Sequence, residues 1–143
     1  MKKLICLLVL MMLVSGCAAS HYTKAGKFGY SDYKISQNVF SVSFQGKNKT
    51  SATDVEKMAL RRSAEVTLKN GFTHFIILEN KPNQTTKLVP TMAKYFSGPL
   101  SITRSNITLR IKCFKDTSPA DTINANEFLT TNYPNDYNQK PSQ

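Results

Sequence analysis

The chain has 143 residues, with 19 basic and 9 acidic side chains and a formal charge of +10, which leaves room for one small domain with a modest core. The basic excess favours anionic surfaces such as lipid headgroups, acidic polymers or nucleic acid, and is silent on fold. Cysteine is scarce: Cys6 and Cys17 lie in and just after an apolar N-terminus and only Cys113 remains, which excludes a disulfide framework.

Residues 1–17, MKKLICLLVLMMLVSGC, divide into three parts. Lys2 and Lys3 form a positive start, Leu4 to Val14 is an unbroken apolar run, and Ser15-Gly16 supplies small residues. A bilayer core takes about 20 apolar residues, so the run is too short to span and fits the apolar region of a secretory signal. Val14, Ser15, Gly16 and Cys17 resemble the lipobox of bacterial lipoprotein signals. The resemblance implies cleavage after Gly16, a thioether-linked diacylglycerol on Cys17 and acylation of the new N-terminus. One acyl chain holds a protein marginally, whereas several hold it stably. An ordinary secreted protein with an incidental Cys is the competing reading. Ala18 rather than Asp follows the Cys, which by the same resemblance implies an outer-membrane, periplasm-facing address. Removing Lys2 and Lys3 from the 19 basic side chains leaves 17 against 9 acidic ones, a formal +8.

Residues 17–29 begin with the lipidation candidate and continue as a small, basic, unpatterned tether. A domain over 30–133 follows. In NVFSVSFQG, Phe40, Val42 and Phe44 alternate with Ser41 and Ser43, a half-buried strand ended by Gly46. The stretch from Thr50 to Gly71 predicts a helix. Thr50 or Ser51 caps it, Asp54 and Glu56 lie in its first turns, and Asn70-Gly71 stops it. Ala52, Val55, Ala59, Leu60, Ser63, Val66 and Thr67 share one face; Lys57, Arg61, Glu65 and Lys69 share the other. Glu65 and Lys69 have the favourable i,i+4 order. The small inner face lets the helix axis lie close to a sheet.

Phe72 and the run Phe75 to Leu78 then read as a strand buried on both faces. Strand, helix and strand in succession suggest a βαβ unit, with an antiparallel return as the alternative. Residues 80–101 contain three prolines and little pattern, which reads as a long loop, functional or poorly ordered. Ile107, Leu109, Ile111 and Cys113 alternate with Thr108, Arg110 and Lys112, a further antiparallel strand that buries Cys113 as a small hydrophobe. SPADTINANEFLTTNY can form a short C-terminal helix with Pro119 near its first turn and Ile123, Phe128 and Leu129 as its apolar contacts. Residues 134–143 read as a disordered tail. The expected fold is a small α+β domain, one main helix packed on a three- to four-stranded sheet.

Several motifs together resemble a family of small, uncharacterised lipoproteins of Gram-negative bacteria. Its pattern runs Gly-Tyr-Ser-acidic, an aromatic strand ending Phe-x-Gly-Asn-x-x-Thr, a helix with Arg-x-Ala-Glu-x-Thr, a closing Gly and an aromatic strand. Gly29, Tyr30, Ser31 and Asp32 match the first part; Phe44, Gly46 and Thr50 the second; Arg62, Ala64, Glu65, Thr67, Gly71 and Phe75 the rest. Lys47 stands at the Asn position. The family implies an address and no activity.

Catalytic chemistry is not evident. QGKNKTS before the helix lacks P-loop glycine spacing. Lys47 and Lys49, with the free N–H groups after Thr50 and Ser51, can still hold an anion; an ordinary capped loop is the alternative. Tyr30, Asp32 and Tyr33 form either an exposed interaction patch or a set packed over a sheet edge. His21 and His74 lack ligand-spaced neighbours, so no metal or cofactor is expected. Asn-x-Thr triplets at Asn48, Asn83 and Asn106 carry no glycan if the leader is bacterial. The basic residues match no nucleic-acid module, and an exported address argues against that partner. The partners expected are the membrane through Cys17 and an envelope protein or an anionic lipid or glycan. The expectation is therefore a non-catalytic structural or interaction module. A ligand-binding or sensor role through residues 80–101 and the Lys47/Lys49 helix start is the alternative.

Overall fold

A computed structural model of the chain describes residues 22–24, 28–93, 96–115, 119 and 121–137, of which 89–93 and 96–100 as backbone only. The leader, Cys17 and the tail from 138 onward lie outside them. The order is β1 (Gly29–Lys34), β2 (Val39–Gln45), α1 (Ala52–Lys69), β3 (His74–Ala93), β4 (Phe96–Phe114), β5 (Ile123–Asn124), α2 (Ala125–Asn132) and α3 (Pro134–Tyr137).

The strands form one sheet in the order β1-β2-β4-β3-β5, every neighbouring pair antiparallel. The domain is α+β as expected, but its sheet has five strands rather than three to four. β1 was not legible as a strand because four of its six residues are exposed and polar or aromatic, without an apolar alternation. β5 is only two residues long. β2 and β3 are both antiparallel to β4, so they run parallel to each other with β4 between them. Strand, helix and strand thus form a split unit whose crossover helix is α1.

The core lies between α1, α2 and one sheet face. Phe40, Val42 and Phe44 of β2 and Ile107, Leu109, Ile111 and Cys113 of β4 all point into it, the inward sets that alternation predicts. From α1 come Val55, Ala59, Ala64 and Val66, and from α2 Ala125 and Leu129. Ser63 and Thr67 are buried beside them. Their hydroxyls donate back to the carbonyls of Ala59 and Ser63, which satisfies both groups inside the apolar layer. Ala52 and Leu60, expected on the inner face, are exposed and half-buried. Ser51 caps α1, its Oγ accepting from the Asp54 N–H at 3.0 Å. Asn70 closes the helix and Gly71 follows at φ +76°, the left-handed conformation for which Gly is suited.

Four further expectations are corrected. Of Phe75 to Leu78, only Phe75 is fully buried; Ile77 and Leu78 are exposed. β5 covers β3 only at His74 and Phe75, and the register shifts between Ile77 and Glu79. Residues 80–101 are not a loop but the arms of a β3–β4 ribbon, paired continuously from Asn83↔Asn106 to Ala93↔Phe96. Its prolines are tolerated because both ribbon edges are unpaired there: β2 ends at Asn106 and β5 at Phe75. The C-terminal helix starts at Ala125, capped by Asn124, so Ile123 belongs to β5 and Pro119 precedes the helix altogether. Residues 134–137, placed in the tail, form the single helical turn α3.

Part of the expected tether is in contact with the domain. The backbone N–H of Tyr30 donates to the Thr23 carbonyl, and Lys24 bridges to Tyr30.

Candidate functional site

β1 separates the expected interaction patch. Successive strand residues point to opposite faces, so Tyr30 and Asp32 lie on the α1 side while Tyr33 projects from the other, 65 % exposed. Neither reading of the patch holds for all three. Tyr30 is half-buried under Arg62, Asp32 is exposed but paired with Arg62, and Tyr33 is exposed.

The Lys47–Ser51 segment is an ordinary turn into a capped helix. The Thr50 N–H donates to the Lys47 carbonyl, and Lys49 has φ 69°. Ser51 both caps α1 and donates its hydroxyl to the Asp54 carboxylate at 2.7 Å. A carboxylate thus already stands at the helix N-terminus, where it complements the dipole. An external anion would have to share that end with Asp54.

A denser constellation sits on the outer face of α1. Glu65 accepts from the Tyr22 hydroxyl at 2.5 Å, from Arg61 Nε at 3.2 Å and from Arg62 Nη1 at 3.0 Å. Arg62 Nε also donates to Asp32 at 2.7 Å, and Arg61 Nη1 to Asp136 at 2.9 Å. The Arg61 guanidinium lies 4.1 Å from the Tyr22 ring centre and 4.7 Å from that of Tyr133; Arg62 lies 4.2 Å over Tyr30. Such cation–π contacts add to the ion pairs because the planar guanidinium can stack and hydrogen-bond at once. The expected Glu65–Lys69 pair does not form, since both Glu65 oxygens are taken by Tyr22 and the arginines.

The electrostatics agree with a structural role. Burial, with Glu65 as acceptor, holds the Tyr22 phenol well above the usual tyrosine range. Burial works against the Arg61 and Arg62 charges, but the carboxylates bonded to them outweigh it and both are raised. These groups stay in one protonation state at neutral pH. The cluster joins the segment before β1, β1 itself, α1 and the C-terminal turn. Tyr22, Arg61, Tyr133 and Asp136 were not found in the sequence because they are far apart along it. A signal was present in the Arg62/Glu65 pair of the lipoprotein-like pattern, whose Gly29, Tyr30 and Asp32 converge on the same place.

Two depressions flank the Asn83↔Asn106 pair. One, about 280 Å3, opens between the first turns of α1 and the β3 residues Asn80, Pro82 and Gln84. The other, about 190 Å3, lies on the sheet face turned away from α1, lined by Ser31, Ser43, Gln45, Asn83, Asn106 and Thr108 with Lys81 beside them. Among the described residues no cluster of three or more His, Cys, Asp or Glu could hold a metal, and no helix is long and apolar enough to cross a membrane. Cys113 is 1 % exposed, and burial pushes its thiol up, as suits a core residue rather than a nucleophile. No family model, curated protein or solved structure matches the chain, so its function rests on these contacts and on the sequence motifs.

Proposed function

We propose that the protein is a lipid-anchored, periplasm-facing domain of the outer membrane, a non-catalytic structural or interaction module held by acyl chains at Cys17. The leader and the Val14–Cys17 motif support the anchor. The observation that carries the module reading is the docking of Tyr22 onto Glu65 and Arg61. Only residues 18–21 separate Cys17 from that docked side chain, and five virtual bonds reach at most about 18 Å. An anchored Cys17 would keep the domain beside the lipid surface and fix which side of it turns toward the membrane.

Metabolic labelling with a tagged fatty acid tests the anchor. The wild-type chain should take up label and fractionate with the outer membrane, and Cys17→Ala should do neither. Full labelling of Cys17→Ala would sink the proposal. The groove of amides and hydroxyls on the open sheet face supports a second reading, a ligand-binding lipoprotein. In that reading Lys81 and Asn83 of the 80–101 segment take the place of the Lys47/Lys49 helix start.

A further inference from the structure

The face of the sheet turned away from α1 carries a row of neutral polar side chains across three strands. Gln45, Asn106 and Asn83 are register neighbours on β2, β4 and β3, and Ser43 and Thr108 lie beside them, 2.9 Å apart through their hydroxyls. Ser31 of β1 completes the floor of the groove. Within this row the Asn106 Oδ1 is buried and has no hydrogen-bond partner among the described residues. A buried acceptor without a donor is rare in a folded domain and calls for an explanation. The amides of Gln45 and Asn83 stand on either side and do not supply it.

We propose that this groove binds a saccharide unit, with the Asn106 amide turning toward the ligand to take a hydroxyl as its missing donor. The chemistry of the lining selects the class. Hydroxyls and carboxamides both donate and accept, so several at strand spacing match the vicinal hydroxyls of a sugar ring. Phe44 and Ile107 also border the groove, but alternation turns their side chains into the core, so the side chains on this face are the polar ones. Its one lining cation among the described residues, Lys81, is paired with Glu79 at 2.8 Å. A phosphate would compete with Glu79 for it, whereas a hydroxylated ligand would not. An extended peptide would add along the open β1 or β3 edge through backbone pairing, whereas the groove presents side chains on the sheet face.

The inference does not depend on acylation of Cys17, and its test needs no membrane. The full chain in detergent is titrated with chitotriose, maltotriose and inorganic phosphate, and side-chain amide resonances are followed by NMR. One of the two oligosaccharides should shift the Asn106, Asn83 and Gln45 amides saturably, and phosphate should not. Asn106→Leu should weaken binding at least about tenfold, the scale of losing one hydrogen bond to a ligand. It should also melt no lower than the parent, because it removes an unsatisfied group. Gln45→Leu, at an exposed position, should weaken binding without touching the core. No saturable shift with either sugar, binding unchanged in both variants, or a destabilised Asn106→Leu that reveals a structural amide would each overturn the proposal.

Discussion

Removing the Glu65 carboxylate is the sharpest perturbation of the cluster on α1. Glu65 accepts three hydrogen bonds, from Tyr22, Arg61 and Arg62, at 2.5, 3.2 and 3.0 Å. A hydrogen bond to a charged group contributes about 1.5–3 kcal/mol. Three cannot be summed here. The Glu65 side chain is 26 % exposed, and the arginines keep Asp136 and Asp32 after the change. The expected loss for Glu65→Ala is about 2 kcal/mol, a fall in Tm of about 8 °C for a domain of this size. Glu65→Gln retains an acceptor for the Tyr22 hydroxyl and should lose about half as much. Urea denaturation followed by circular dichroism measures both. Combining Tyr22→Phe with Glu65→Ala should give a coupling of about 1 kcal/mol in a double-mutant cycle. A Glu65→Ala protein within about 0.5 kcal/mol of its parent, or strictly additive variants, would refute the reading that this carboxylate fastens the N-terminal segment.

Gly29 has φ +109°, and a Cβ built there would stand 2.1 Å from the Thr23 carbonyl oxygen. Gly29→Ala should therefore cost about 3 kcal/mol and release the segment before β1, read as new tryptic cleavage at Lys24; an uncut chain of parental stability would contradict this. Cys113 should resist maleimide in the folded protein at neutral pH and react on unfolding in urea, followed by mass spectrometry of its peptide; native labelling at the rate of a free thiol would contradict its burial. The raised Tyr22 pKa means the folded state holds that proton more tightly than the unfolded chain. Its stability contribution is complete below about pH 10 and lost as pH rises above it. The stability gap between the parent and Tyr22→Phe should shrink from about pH 9 to about pH 11.5; a constant gap would argue against the Tyr22–Glu65 bond.

Where burial and sequence pattern coincide, the fold was legible. β2 and the second half of β4 alternate because one face meets α1, and α1 carries its own start and stop signals in Ser51 and Asn70-Gly71. The ribbon arms were not legible because no third strand or helix among the described residues covers them, so Thr85, Thr86 and Lys87 give no apolar rhythm and the prolines read as breakers. β1 escaped for a related reason: its inward positions are Tyr30 and Asp32, a tyrosine under Arg62 and a carboxylate paired with it, not aliphatic residues. The cluster itself depends on contacts between positions as distant as Tyr22, Glu65 and Asp136, which no local periodicity encodes. Only the lipoprotein-like pattern hinted at it, by naming Gly29, Tyr30, Asp32, Arg62 and Glu65 together.

The anchor is the claim on which the rest of the proposed role turns, and the mature N-terminus reads it directly. Mass spectrometry of the N-terminal peptide from envelope-extracted protein should find the chain starting at Cys17, with diacylglycerol on its sulfur and an acyl group on its α-amine. A mature chain that begins elsewhere, or an unmodified Cys17, would contradict the account.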